Sequence, residues 1–194
     1  MLILASQSPR RAELLKQIGI SFSQMNVDVD ESVLNNEVPE CYVRRLAEQK
    51  SLAGWNKSAK QWPVLGADTV VVVHKQILGK PLDEGDASRM LNLLSDNEHR
   101  VLTAVAITYP SDSGHRQKSL LVESRVTFGP LSQVKIDAYW QSGEPQDKAG
   151  SYAIQGLGGQ FVKHINGSYS AVVGLPLYET RQLLNEIGSL DHEF

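Results

Sequence analysis

Two adjacent arginines stand where an anion would bind well. Arg10 and Arg11 follow Pro9, which is placed as the first residue of a helix that Ser8 would cap. The N-terminal end of a helix carries unpaired N–H groups and the positive pole of the helix dipole, so two cations there are unfavourable unless an anion is bound. The hydroxyl groups of Ser6 and Ser8 would add donors to a phosphate. The alternative is a pair of solvated arginines on a surface helix, and this stretch alone does not decide between the two.

A carboxylate interrupts an apolar stretch of the sequence. Asp68 is flanked by residues 64–65 and 70–73, which are β-branched or otherwise apolar and predict a buried strand. A carboxylate in such a place is unfavourable unless it is paired or metal-bound, so we interpret Asp68 as a functional residue. A second acidic group, residues 27–32, falls in a predicted loop. Its carboxylates are either solvated, which we favour for Asp28, or ligands of a hard cation such as Mg²⁺.

Two lysines occupy positions that suit contact with a phosphate. Lys50 falls on the apolar face of a helix predicted over residues 39–54. It either extends to the rim of that face, which is the more common outcome, or meets an anion in a cleft. Lys80 lies between Gly79 and Pro81 on a short, stiff loop, where a lysine can act on phosphate as a point charge. That second pattern is weak by itself.

A glycine-rich segment at 147–159 is the remaining candidate. It is not a dinucleotide-binding fingerprint, because the third glycine is missing and a strand rather than a helix is predicted to follow. It is either a flexible connector or a loop from which Lys148 and Gln155 reach a ligand.

The elements that position these residues predict a mixed α/β fold. Strands or hairpins are predicted at 2–5, 20–22, 64–78, 101–128 and 161–173, and helices at 9–18, 39–54, 83–95, 132–143 and 176–188. The turn of the last hairpin is placed at Asn166-Gly167, a strong turn signal. We expect long antiparallel strands and two lobes with a cleft between them.

Composition and charge narrow the class of protein. The 194 residues are 41% hydrophobic and 21% charged, which is ordinary for a soluble globular protein, and the net charge of -3 argues against general nucleic-acid binding. Cys41 is the only cysteine in the sequence, so no internal disulfide can form. No apolar run approaches the roughly 18 residues of a membrane span, and the N-terminus lacks a signal-peptide pattern. We therefore expect one domain over 1–194, a cytoplasmic location, and neither nucleic acid nor membrane as a partner.

Seven segments, taken in order, resemble the Maf family of nucleoside triphosphate pyrophosphatases over nearly the whole chain. They are LASQSPRRAELL from Leu4, VDVD followed by Glu31, RRLAEQK ending at Lys50, GADT at 66–69, GKP at 79–81, DKAGSYAIQGLGG at 147–159 and INGSYSAVVGLPL at 165–177. The resemblance implies an α/β fold like that of the inosine triphosphate pyrophosphatases, with a nucleotide bound in the cleft between two lobes. It also implies a divalent metal cation, Mg²⁺ or Mn²⁺, as cofactor.

The resemblance further implies a role for each matching residue. The phosphate-binding residues would be Ser6, Ser8, Arg11, Lys50 and Lys80. Glu31 and Asp68 would hold the metal, and Asp68 would accept the proton of the water that attacks the α-phosphorus. Arg10, Thr69 and Gln155 match the subgroup of the family that prefers dTTP and UTP.

Two hypotheses about function stay open at this point. The first is a housekeeping pyrophosphatase that removes non-standard or excess pyrimidine nucleotides. The second is a nucleotide-binding regulator of septum formation with incidental hydrolysis, since the family is linked to inhibition of septum formation in bacteria. Asp68 and Glu31 favour the enzyme, because a protein that only binds a nucleotide needs cations but no buried base. The oligomeric state is open, with a homodimer as one candidate.

Overall fold

A computed structural model describes residues 1–189, and these residues form a mixed α/β fold, as predicted. The strands within them are β1 (Leu2–Ala5), β2 (Phe22–Met25), β3 (Val64–Val73), β4 (Gln76–Leu78), β5 (Glu98–Ser111), β6 (Gly114–Phe128) and β7 (Val162–Asn166). The helices are α1 (Pro9–Gln17), α2 (Pro39–Lys57), α3 (Glu84–Leu94), α4 (Gln133–Gln141), α5 (Tyr169–Val173) and α6 (Leu177–Glu186). Short 3-10 turns cover Glu144–Asp147, Ala149–Ser151 and Leu157–Phe161.

The strands form a mixed sheet in the order β2-β1-β3-β5-β6-β7, with β4 beside β3. β1 is parallel to both of its neighbours, so that Ile3 lies opposite Ser23 of β2 and Val64 of β3. β4 is antiparallel to β3, and β7 is antiparallel to β6. The long strands β5 and β6 follow each other through a tight turn. The predicted mixed sheet with long antiparallel strands is therefore confirmed.

The chain forms two compact units. Among the described residues, unit 1 contains Met1–Asp68, Thr103–Val122 and residues 174–189, and unit 2 contains Thr69–Leu102 and Glu123–Val173. The expectation of one domain over 1–194 stays a prediction.

The core of unit 1 follows the apolar faces that the sequence indicates. Leu15 of α1 and Leu46 of α2 are fully buried, as are the strand residues Leu4 and Leu65. α2 begins at Pro39 as predicted but continues to Lys57 rather than ending at residue 54. The extra turn buries Trp55, which packs with Ile3 and Val64. Burial of an aromatic side chain of this size favours the longer helix.

The first helix of unit 2 is α3 (Glu84–Leu94), which agrees closely with the helix predicted at 83–95. The side chain of Asp83 accepts a hydrogen bond from the backbone N–H of Asp86 at 2.8 Å and so caps α3. The buried face of this helix is the predicted stripe, which consists of Ala87, Met90, Leu91 and Leu94. The stripe joins a core that also contains Phe128, Tyr139, Tyr152 and Phe161.

The predicted hairpin at Asn166-Gly167 is wrong. β7 ends at Asn166, and the residues that should form the returning strand form the short helix α5. Gly167 has a φ of 132°, well away from the left-handed helical values that a tight type I′ turn needs. The hydroxyl of Ser168 instead accepts a hydrogen bond from the backbone N–H of Ala171 at 3.2 Å, which favours the start of a helix. β7 pairs with β6 rather than with the residues after the turn.

No helix within residues 1–189 combines the length and the apolar character needed to cross a membrane.

Candidate active site

Lys50 joins two carboxylates in unit 1. Its Nζ lies 2.6 Å from Oε1 of Glu31 and 2.7 Å from Oδ1 of Asp68. The Lys50 side chain is only 12% exposed and that of Asp68 11%, whereas the Glu31 side chain is 51% exposed. Extension to the solvent-exposed rim is the more common outcome for a lysine on an apolar helix face. Lys50 does not follow it, because its side chain is mostly buried. It neutralises a buried carboxylate on one side and an accessible one on the other.

A close approach of α2 to β3 places Lys50 beside Asp68. A Cβ atom on Gly66 would lie 2.4 Å from the backbone nitrogen of Ser51 and 2.5 Å from the carbonyl oxygen of Ala47, so only glycine fits here. The Ser51 hydroxyl donates to the carbonyl oxygen of Val64 at 2.8 Å and fixes the same contact. Since Ser51 follows Lys50 and Gly66 lies two residues before Asp68, this contact sets the distance between the two charged groups.

The environment of Asp68 gives its carboxyl the character of a base. β3 runs without a break through Asp68, and burial there raises the pKa of the carboxyl above its usual value of 3.8. The positive charges of Lys50 and Arg11 oppose this rise. A carboxylate whose pKa is raised accepts a proton more readily than an exposed one.

The loop before α1 brings Ser6 and Arg11 together. Nη1 of Arg11 donates to Oγ of Ser6 at 3.2 Å, and its Nε donates to the carbonyl oxygen of Gly174 at 2.9 Å. Burial lowers the pKa of Arg11, while the charge of Asp68 raises it. Ser8 is the N-cap residue as predicted, but its side chain forms no cap hydrogen bond. Its backbone N–H donates to Oγ of Ser6 at 3.2 Å instead.

The first turn of α1 contains two arginines and no acidic residue. This charge distribution keeps the end of the helix suited to an anion. Gln24 adds a contact that the sequence did not indicate, because its Nε2 donates to the carbonyl oxygen of Ser6 at 2.7 Å. Unit 1 thus brings together five of the predicted site residues, which are Ser6, Arg11, Glu31, Lys50 and Asp68.

Three further predicted site residues, Thr69, Lys80 and Gln155, lie in unit 2, whereas Ser8 and Arg10 lie in unit 1. Thr69 is the next residue of β3 and is half-buried. Lys80 is exposed on the loop between β4 and α3, and Gln155 is exposed on the glycine-rich segment. The role of every predicted site residue, in either unit, stays a prediction.

Glu144 anchors the glycine-rich segment that carries Gln155. Its carboxylate accepts hydrogen bonds from the Tyr139 hydroxyl at 2.7 Å and from the backbone N–H groups of Leu157 and Gly158, each at 2.9 Å. These hydrogen bonds lower the pKa of Glu144 although burial opposes them. The segment is therefore an ordered set of short turns rather than a flexible connector. Glu144 could not be predicted from the sequence, because two of its partners are backbone N–H groups that leave no pattern there.

The carboxylates of Glu31 and Asp68 fit a hard divalent cation. Oε1 of Glu31 and Oδ1 of Asp68 are neighbours, since each lies within 2.7 Å of the Lys50 nitrogen, and carboxylate oxygens are the ligands that such a cation prefers. Within residues 1–189 there is no group of three or more His, Cys, Asp or Glu side chains suited to a metal ion. Mg²⁺ is ordinarily held by only one or two carboxylates together with substrate phosphates and water, so a pair of carboxylates is enough.

We expect the two predicted phosphate-binding lysines to differ in their effect on stability. Lys50→Ala should lower kcat/KM and also the melting temperature, because it leaves the buried Asp68 carboxylate without its nearest partner. Lys80→Ala should lower kcat/KM without changing the melting temperature, because Lys80 is exposed. Nucleotide hydrolysis and thermal melts of both variants, with the exposed Lys75→Ala as control, test this. Unchanged kinetics in either variant would remove that lysine from the site.

Known proteins resemble this chain over nearly its whole length. The family described as Maf-like protein matches residues 1–187. A dTTP/UTP pyrophosphatase of Pseudoalteromonas atlantica is 61% identical over 100% of both chains, and one of Pseudoalteromonas translucida is 59% identical over 93% of this chain and 94% of its own. A dTTP/UTP pyrophosphatase of Vibrio vulnificus is 53% identical over 95% and 97% of the two chains. Among solved structures, a nucleoside-triphosphatase / dITP/XTP pyrophosphatase from Mycobacterium abscessus aligns with a TM-score of 0.43 and 13% identity, over 96% of this chain and 93% of that one. The chain described here belongs to the Maf family.

Proposed function

We propose that this chain is a nucleoside triphosphate pyrophosphatase that hydrolyses dTTP and UTP to the monophosphate and pyrophosphate. The observation that carries the proposal is the buried Asp68 carboxylate, held beside Lys50 and facing the accessible Glu31. The dTTP/UTP pyrophosphatases named above, at 53% to 61% identity, support the substrate class. The reaction would serve to remove non-standard or excess pyrimidine nucleotides, and we place it in the cytoplasm.

In the proposed reaction a water molecule attacks the α-phosphorus of the nucleotide. The bond from the water oxygen to phosphorus forms while the bond from phosphorus to the bridging oxygen of the pyrophosphate breaks. Asp68 accepts the proton of the water, and the departing pyrophosphate keeps the bonding electron pair. Arg11 and Lys50 stabilise the negative charge that grows on the phosphate oxygens. A positioned base of this kind contributes roughly 10² to 10⁴ to the rate.

We propose Glu31 and Asp68 as the residues that hold a divalent cation, Mg²⁺ or Mn²⁺. When bound, the cation would neutralise phosphate oxygens and lower the pKa of a bound water. The chain supplies the remaining chemistry, because the burial of Asp68 raises its pKa and the positive side chains bind the triphosphate.

The test is a product analysis with purified protein, dTTP and Mg²⁺. We expect dTMP and pyrophosphate in equal amounts, without release of orthophosphate. Removal of the metal with EDTA should abolish the activity. Excess Mg²⁺ should restore it. Release of orthophosphate would contradict cleavage at the α-phosphorus, and full activity in EDTA would contradict the metal. Tight nucleotide binding without turnover would favour the regulator of septum formation instead.

A further inference from the structure

Glu31 lies on a segment that has no regular secondary structure to hold it. Residues 26–38, between β2 and α2, contain only one short turn. The Glu31 side chain is half-exposed, so packing around it does little to fix its position. Conformational entropy opposes the fixing of an irregular segment, so the position of this one depends on the contacts that it makes with other elements.

An ion pair between this segment and α2 provides such contacts. Nε of Arg45 lies 2.6 Å from Oε1 of Glu37, and its Nη2 lies 2.7 Å from Oε2 of the same residue. The same Nη2 donates to the carbonyl oxygen of Ser32 at 3.0 Å, one residue beyond Glu31. Two parallel hydrogen bonds between a guanidinium and a carboxylate fix direction as well as distance. The pair lowers the pKa of Glu37 to about 2, so the carboxylate stays charged at neutral pH.

Tyr42 makes the contact closest to Glu31. Its hydroxyl donates to the carbonyl oxygen of Glu31 at 2.8 Å, and its ring lies 5.4 Å from the Arg45 guanidinium. Burial and the charges of Asp68 and Glu31 raise the pKa of this hydroxyl to about 12, so it remains a donor. Tyr42 and Arg45 lie one turn apart on α2, the helix that also carries Lys50.

We propose that Glu37, Tyr42 and Arg45 form a positioning cluster that fixes Glu31 beside Lys50 and Asp68. None of the three reaches Asp68 or Lys50 through a hydrogen bond of its own. They act through the backbone at and directly after Glu31, at its own carbonyl group and at that of Ser32. Removing the cluster should therefore release Glu31 while the ion pair between Lys50 and Asp68 remains.

The first test measures the order of the segment directly. In hydrogen exchange, Arg45→Ala should speed exchange of the amides in residues 27–38, including Leu34, whose N–H donates to Oε2 of Glu37. The control is Arg44→Ala, which removes the same charge from the same helix but contacts Ser119 instead of the segment. Unchanged exchange in Arg45→Ala, or equal acceleration in Arg44→Ala, would overturn the proposal.

The second test is a double-mutant cycle in nucleotide hydrolysis, and it rests on the proposed function. Arg45→Ala should lower kcat/KM about 10- to 100-fold, which is typical of losing a group that orients a ligand-bearing residue. In a Glu31→Gln background the same change should cost less than about twofold, because the residue that it positions is already lost. Arg45→Lys keeps the charge but not the paired hydrogen bonds, so its rate should fall between wild type and Arg45→Ala.

The outcomes separate the positioning cluster from a general effect on stability. Effects of Arg45→Ala and Glu31→Gln that multiply would overturn the proposal, as would an Arg45→Ala enzyme with the kcat/KM of wild type. Failure of wild type and Arg44→Ala to release pyrophosphate would refute the proposed function only. The hydrogen-exchange comparison would still decide whether the cluster orders Glu31.

Discussion

Asp68→Asn is expected to lower turnover of dTTP by roughly 10²-fold or more while the protein stays folded. Asparagine is nearly isosteric with aspartate and can still accept a hydrogen bond from Lys50, which keeps its second carboxylate partner in Glu31. It cannot accept a proton at neutral pH. The measurement is kcat under saturating dTTP and Mg²⁺, beside a thermal melt.

The control for this variant is Asp86→Asn, which also removes a carboxylate from an ion pair but lies on the exposed side of α3. It should keep full turnover. The pH profile gives a second check, because burial raises the pKa of Asp68. The rising limb of kcat/KM that reports its deprotonation should therefore lie above pH 3.8, the usual value for an aspartate, and should be absent from Asp68→Asn. A folded Asp68→Asn protein with more than half of the parent turnover would exclude Asp68 as the base.

The largest expected difference in rate is the one between pyrimidine and purine nucleotides. Among common nucleotides, dTTP and UTP should be the best substrates, with dATP and dGTP far behind. Thymine and uracil present two carbonyl oxygens and one ring N–H, to which an arginine can donate and a glutamine amide can both donate and accept. A site that pairs such groups rejects a base that leaves them unpaired by a factor on the order of 10⁴. A panel of all common nucleotides at equal Mg²⁺ measures this, and a preference for ATP or GTP would refute the subgroup.

The residues proposed to read the base can be tested in the same panel. Arg10→Ala and Gln155→Ala should each lower the rate of dTTP hydrolysis. Each should also reduce the ratio between the rates for pyrimidine and purine nucleotides. The exposed Lys16 at the other end of α1 and the exposed Gln146 before the glycine-rich segment offer matched controls. Lys16→Ala and Gln146→Ala should leave the selectivity unchanged. An unchanged ratio in Gln155→Ala would remove that residue from base recognition.

The sequence predicted the site best where a charged residue lies within an apolar stretch. Asp68 could be recognised because residues 64–65 and 70–73 on its two sides are apolar. The structure places it in an unbroken buried strand. The partners of Lys50 could not be predicted in the same way. They depend on where α2 crosses β3, and the crossing is set by a contact at Gly66 between segments that are distant in sequence.

Local signals were misleading where tertiary pairing competes with them. Asn166-Gly167 predicts a hairpin, but the Ser168 cap and the pairing of β7 with β6 lead to a helix instead. Helical spacing puts Arg45 opposite the apolar face of α2, a position typical of a solvated residue. Its partner Glu37 lies on a segment without periodicity, so no pattern in the sequence connects the two.

Glu31 and Asp68 both contact Lys50, but their carboxylates differ in exposure. Ionic strength therefore affects the two ion pairs to different extents. Dissolved ions screen charges that solvent reaches, with a screening length of about 8 Å at physiological salt, and screen buried pairs much less. Added salt therefore weakens the contact from Lys50 to Glu31 before the contact from Lys50 to Asp68. The ammonium group stays with the buried base while its contact with the outer carboxylate weakens, so salt alters this side of the Lys50 contacts without disturbing the core beneath it.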